Sequence, residues 1–154
     1  MLKEHIPVAL HDELEEGKLL RQALTRRAFA SDQQTFEHNI KHQDELRTLG
    51  DAVIKLFITD ELLIRGVITP MDITVTKQKI ENKGTLADIG RTLGLNSEGA
   101  IILGKGEIVS KLQDNDKVLA ETLESVVGAL FRLKGYSGTN EIIKPWFEHV
   151  LPKD

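Results

Sequence analysis

Cysteine is absent from the 154-residue chain. Its absence excludes disulfides, zinc ribbons, iron–sulfur clusters and thiol catalysis. Only four prolines occur, so little interrupts a helical pattern. No run of about 18 apolar residues exists, and no segment is expected to span a membrane. The first apolar stretch is short and broken by His5 and Pro7, unlike a secretory signal. A cytoplasmic protein is the expectation. Sustained period-two alternation is missing too, and with it the mark of a half-buried strand. No repeat, low-complexity tract or long linker divides the chain, so we expect one domain over residues 1–154. Acidic side chains outnumber basic ones, 24 to 20. A net charge of −4 is not a broad footprint for nucleic acid, although it leaves room for a local patch.

What is present reads as helix. An amphipathic start over about 12–27 carries Leu14, Leu19, Leu20 and Leu24, and the polar stretch 31–41 reads as a connector. A long helix is expected from Asp44 to Arg65. In it Leu46, Leu49, Val53, Leu56 and Phe57 recur at spacings of three and four, and Gly66 suits the end. Thr69 with Pro70 marks another start. Thr85 followed by Asp88 resembles a capping signal for a short helix ending at Gly94. The segment 101–107 is either a very short strand or a turn into the next helix. Asp116 is expected to cap a long helix to about Lys134, stopped by Gly135. A last helix over 139–151 contains Pro145, where a kink or late start is expected. The fold class is all-α, a bundle with two long helices as its spine.

Acidic residues concentrate on one side of each long helix. Asp44, Arg47 and Asp51 stand within about 60° of one another at 100° per residue. Glu121 and Glu124, three apart, share a face. Gly50, Ser125 and Gly128 are small and permit close approach. If the helices cross there, Asp51, Glu121 and Glu124 form a carboxylate cluster of the kind a hard divalent cation takes. A solvated polar face on each helix is the commoner reading of the spacing alone.

The wording of the segments adds to this. Residues 23–28, Ala-Leu-Thr-Arg-Arg-Ala, resemble the A-L-T-H-R-S motif of the ribonuclease III family. Residues 42–53, His-Gln-Asp-Glu-Leu-Arg-Thr-Leu-Gly-Asp-Ala-Val, are similar to its signature H-N-E-R-L-E-F-L-G-D-A-V. Thr85–Ile89 is similar to T-L-A-E-I, and Leu103–Glu107 to L-G-x-G-E. Residues 121–129 are similar to D-x-x-E-A-x-I-G-A. Order and rough spacing agree from about Leu19 to Val150.

The resemblance implies a ribonuclease III endonuclease-domain-like helical bundle, usually a homodimer, that cleaves double-stranded or structured RNA in RNA processing. It implies a Mg²⁺ site, with Mn²⁺ able to substitute. Asp51 matches the signature Asp and Glu124 the last Glu, while Glu121 stands where the family has Asp. These three are the implied metal ligands. Asp51, Glu124 and Asp44, a supporting acid, are the implied catalytic residues. Two departures stand out. Arg47 occupies the position of a metal-ligating Glu, and guanidinium neither ligates a metal nor loses its proton. Thr48 replaces a Phe that packs into the partner subunit. No double-stranded RNA-binding domain is expected in these residues, which implies low RNA affinity.

Three functions follow: an active endonuclease, a catalytically silent fold that binds RNA or protein, and one subunit of a heterodimer. The histidines at 5, 11, 38, 42 and 149 show no ligand spacing and read as surface residues. Arg26 and Arg27 read equally as helix-end salt bridges or contacts to RNA phosphate. Gly104-Lys105-Gly106 lacks the second half of a phosphate loop. Trp146 and Phe147 read as core.

Overall fold

The computed structural model describes residues 2–16 and 18–153. Short 3-10 turns at Leu2–His5 and Val8–Leu10 lead into α1 (His11–Glu16), α2 (Leu19–Ala23) and α3 (Arg27–Gln33). The long α4 (Asp44–Ile64) follows, then α5 (Pro70–Ile80), α6 (Lys83–Thr92) and α7 (Lys105–Val109). The last element is α8 (Asp116–Phe147). No strand occurs among the described residues. The fold is all-α.

The first helix differs from its expected single run. Lys18 adopts a left-handed φ of 55°, which separates α1 from α2. A second break comes where Thr25 pairs with Ile102 in an isolated bridge. The Ile102 amide donates to the Leu24 carbonyl at 2.8 Å, and the Arg26 amide to the Ile102 carbonyl at 3.0 Å. Distant backbone thus overrides local helix propensity and fixes where Arg26 emerges. The same bridge resolves the 101–107 segment: one paired residue, then the start of α7. The expected connector 31–41 gives its first three residues to α3.

Two caps fall elsewhere than expected. Asn82, not Thr85, caps α6, accepting from the Thr85 amide at 2.9 Å. Asn115, not Asp116, caps α8, accepting from the Val118 amide at 3.2 Å. In both cases a short amide side chain on extended backbone reaches the free N–H groups of the first turn. At the other end, α8 leaves helical geometry at Gly135 (φ 69°, ψ −172°), as expected, whereas Pro145 sits in its last turn without marking the break.

α4 and α8 pack together more extensively than any other pair, and α6 covers α8. Val53, Ile54, Phe57 and Ile58 of α4 meet Leu119, Leu123, Val126 and Val127 of α8 in one buried core. Phe57 and Phe147 meet edge to face, with centroids 5.4 Å apart. The spine rests on two glycines. A Cβ at Gly50 would overlap the Glu124 carbonyl oxygen, and one at Gly128 would overlap the Leu46 carbonyl. Backbone therefore touches backbone where the acidic faces meet.

Candidate active site

That contact decides the site. Gly50 lies against the Glu124 backbone, and its neighbour Asp51 is close enough for its charge to act on the Glu124 carboxyl. Burial, and next the Asp51 charge, push the Glu124 carboxyl up to about 7. Glu121 adds to the rise, while Arg47 and Lys55 oppose it. Two carboxylates meeting in partly desolvated surroundings repel each other until a cation or proton relieves them.

Basic groups attend the other acids. Lys55, one turn beyond Asp51, pairs with its Oδ2 at 2.9 Å. Glu121 is shared: Oε2 accepts from Arg26 Nη1 at 2.7 Å, and Oε1 lies 3.3 Å from Arg47 Nη1. Arg26 also donates from Nε to Glu107 Oε2 at 3.0 Å and from Nη1 to Gln43 Oε1 at 3.1 Å. Gln43 is fully buried and donates onward to the Ala23 carbonyl and Thr122 Oγ1. These bonds more than offset the burial of Arg26, and its pKa is raised. Arg47 keeps a buried Nε with no hydrogen-bond partner. Asp44, two turns before Asp51 on α4, pairs with Arg27 at 3.2 Å.

Of the residues expected at the site, the fold brings Asp51 and Glu124 together. Glu121 is adjacent but bound to arginines, and Asp44 is bound to Arg27. Among the described residues, no three acidic or histidine side chains converge as a metal-holding group. The remaining donor set still suits a hard cation. Mg²⁺ is commonly held by one or two carboxylates, with waters and substrate phosphates completing its shell.

Some participants were not singled out in the sequence. Lys55 is spaced four from Asp51, a readable i,i+4 pair. Glu107 stands in the L-G-x-G-E segment, but its tie to Arg26 had no local signal, because the two lie 81 residues apart. Glu107 also accepts from the Gly104 amide at 3.1 Å, making the glycine-rich segment a helix start. Ser125 is buried and donates to the Ala23 carbonyl, so it anchors α8 to α2 rather than lining an open face. Trp146 and Phe147 are core residues. His11 departs from the surface reading: it is half-buried, its Nε2 2.9 Å from the carbonyls of Lys3 and Ile6. Thr48 is exposed, and its hydroxyl donates to the Asp44 carbonyl at 3.0 Å.

Comparison with known proteins agrees with the fold. Residues 16–150 match the family model described as Ribonuclease-III-like. The chain is 35% identical over 134 residues to Ribonuclease 3 of Corynebacterium efficiens, covering 86% of this chain and 52% of that protein. It is 30% identical over 131 residues to Ribonuclease 3 of Myxococcus xanthus, covering 84% and 49%. The chain thus spans about half the length of the curated relatives it matches. The nuclease domain of ribonuclease III from Campylobacter jejuni, in which a flexible region is involved in dimer formation, superposes with a TM-score of 0.78. That match has 22% identity and covers 95% of this chain and 99% of the other.

Proposed function

Since the chain belongs to the ribonuclease III family, we propose that it is a Mg²⁺-dependent endonuclease acting on double-stranded or structured RNA, in RNA processing. The observation that carries this reading is the meeting of Asp51 and Glu124 across the Gly50–Gly128 contact. Asp51 and Glu124 would hold the ion, Mn²⁺ substituting for Mg²⁺. When bound, such an ion polarises a phosphodiester and acidifies the attacking water.

The chain's own groups would do the rest. Lys55 and Arg47 limit repulsion within the acidic pair while no cation is there. Burial and the Asp51 charge raise the Glu124 carboxyl, and a bound cation would favour its charged form. Asp44 is a supporting acid, and its partner Arg27 is mostly exposed, where RNA phosphate can reach it. All of this belongs to one domain over residues 1–154. Among the described residues no helix is long and apolar enough to cross a membrane, and we place the activity in the cytoplasm.

The working assembly is a homodimer, with a two-fold axis pairing like surfaces. Thr48, Ala52, Leu56 and Leu63 of α4 form an exposed, largely apolar stripe, and Met71 and Val75 of α5, which packs on α4, are exposed too. This stripe is the proposed interface.

A second reading has its own observation. Glu121 is bound by Arg26 and Arg47, and Asp51 by Lys55, so a silent fold that binds RNA or protein is the alternative. Incubating a long RNA duplex with and without Mg²⁺, with Asp51→Ala as control, separates the two. Mg²⁺-dependent cleavage that vanishes in Asp51→Ala supports the endonuclease. Binding without cleavage favours the silent fold.

A further inference from the structure

Positions 26, 47 and 121 each differ from the ribonuclease III wording quoted above, and the three differences bond to one another. The motifs have His, Glu and Asp there, whereas this chain has Arg26, Arg47 and Glu121. Each new charge finds its partner within the set. Glu121 receives Arg26 on Oε2 at 2.7 Å and faces Arg47 with Oε1 at 3.3 Å. The extra methylene of Glu121 lengthens its reach toward them. Arg26 is itself immobilised. Its side chain is only 14% exposed, its Nε holds Glu107, and its backbone is pinned to Ile102. A guanidinium carries several N–H donors in a rigid plane and stays charged at any working pH, so it holds two acids at once.

We propose that Arg26 is a positioning residue that clamps Glu121 on the arginine side of the site, so that only Asp51 and Glu124 remain to bind a divalent cation. This rests on the metal reading above and adds what sets the number of protein ligands. Arg26 acts through Glu121, and removing it frees one carboxylate oxygen to turn toward the acidic pair. Arg47 at 3.3 Å and Lys117 at 4.0 Å keep their hold on the other oxygen, but both holds are longer and both side chains are more exposed than that of Arg26.

Mn²⁺ binding measured by calorimetry, with no RNA present, tests the clamp on the parent, Arg26→Gln, Glu121→Gln and the double variant. Fixed charges acting only through their field contribute additively, so a non-additive cycle reports a change in what Glu121 does. In the parent, Glu121→Gln should weaken Mn²⁺ by about twofold or less, a screened field effect. In the Arg26→Gln background it should weaken Mn²⁺ by about tenfold, as expected when a ligand is lost. Equal effects of Glu121→Gln in both backgrounds overturn the proposal. If Arg26→Gln does not fold, Arg26→Lys keeps the charge but serves one acid at a time, and the same cycle applies. A parent that binds no Mn²⁺ would count against the metal reading alone, provided that Arg26→Gln binds and the double variant does not. No binding by any variant would overturn the clamp as well.

Discussion

Gly50 on α4 rests against the backbone carbonyl of Glu124 on α8, leaving no room for a Cβ. Gly128 makes the reciprocal contact with Leu46. Alanine at either place must push the helices apart, separating Asp51 from Glu124 and opening the core beneath. Overpacking of this kind costs about 1–3 kcal/mol. Gly106, in α7, has open space around its Cβ position, and alanine there should gain about 0.5–1 kcal/mol from helix propensity alone. Urea unfolding of Gly50→Ala, Gly128→Ala and Gly106→Ala checks the contrast. Equal stabilities would show that the crossing is looser than described.

The two long helices were legible because their apolar residues recur at helical spacing and end at glycines. The acidic faces were legible too, as was the closeness permitted by Gly50 and Gly128. The caps at Asn82 and Asn115 are not legible, because a neighbouring Thr or Asp offers a similar cap chemistry and sequence cannot weigh one against the other. The break at Thr25 depends on Ile102, a partner far along the chain, so no local pattern announces it. Arg26 is the clearest case. Its surface-like identity concealed a largely buried role, because Glu107 and Glu121 reach it from α7 and α8 only after folding.

Glu124 should make stability depend on pH. Its carboxyl titrates at about 7 in the folded chain and near 4.5 when unfolded. Between those values the folded chain binds more protons than the unfolded one, so this group's contribution falls as pH rises from about 4.5 to about 7, then levels off. Glu124→Gln removes that loss. The Tm of the variant should match the parent at low pH and exceed it at about pH 8 without divalent ions, with Mg²⁺ narrowing the gap by stabilising only the parent. A Tm difference that does not change with pH would contradict the burial and repulsion assigned to Glu124.

The α4 stripe offers a test of assembly. Leu56 is 54% exposed in the single chain, so Leu56→Asp should change the stability of a monomer by only about 0.5 kcal/mol. In a dimer joined through this face, the same change buries a charge and should drive dissociation. Light scattering at micromolar concentrations is expected to give a dimer for the parent and a monomer for Leu56→Asp. A monomeric parent would favour the heteromeric reading that Thr48 suggests.

Arg47 provides the most direct test of why the site holds so few carboxylates. Its guanidinium faces Glu121 and acts on Glu124, where the family wording has an acid. A fixed unit charge about 4 Å from a cation costs about 4 kcal/mol per unit of the cation's charge at an effective dielectric near 20. Screening reduces that figure, but loss of a ligand oxygen adds to it. Arg47→Glu reverses both terms, while Arg26 continues to hold Glu121. Without metal the variant should be less stable than the parent, because a further carboxylate joins Asp51 and Glu124. With Mg²⁺ the order should reverse, with Tm rising further on titration and Mg²⁺ affinity and duplex cleavage both gaining about tenfold or more. An alternative use of Arg47, holding RNA phosphate, gives the opposite sign for binding: duplex affinity measured in EDTA would fall in Arg47→Glu and its salt dependence would flatten. If the variant folds and assembles as the parent does, yet gains neither Mg²⁺ affinity nor cleavage, then Arg47 is not what limits the site.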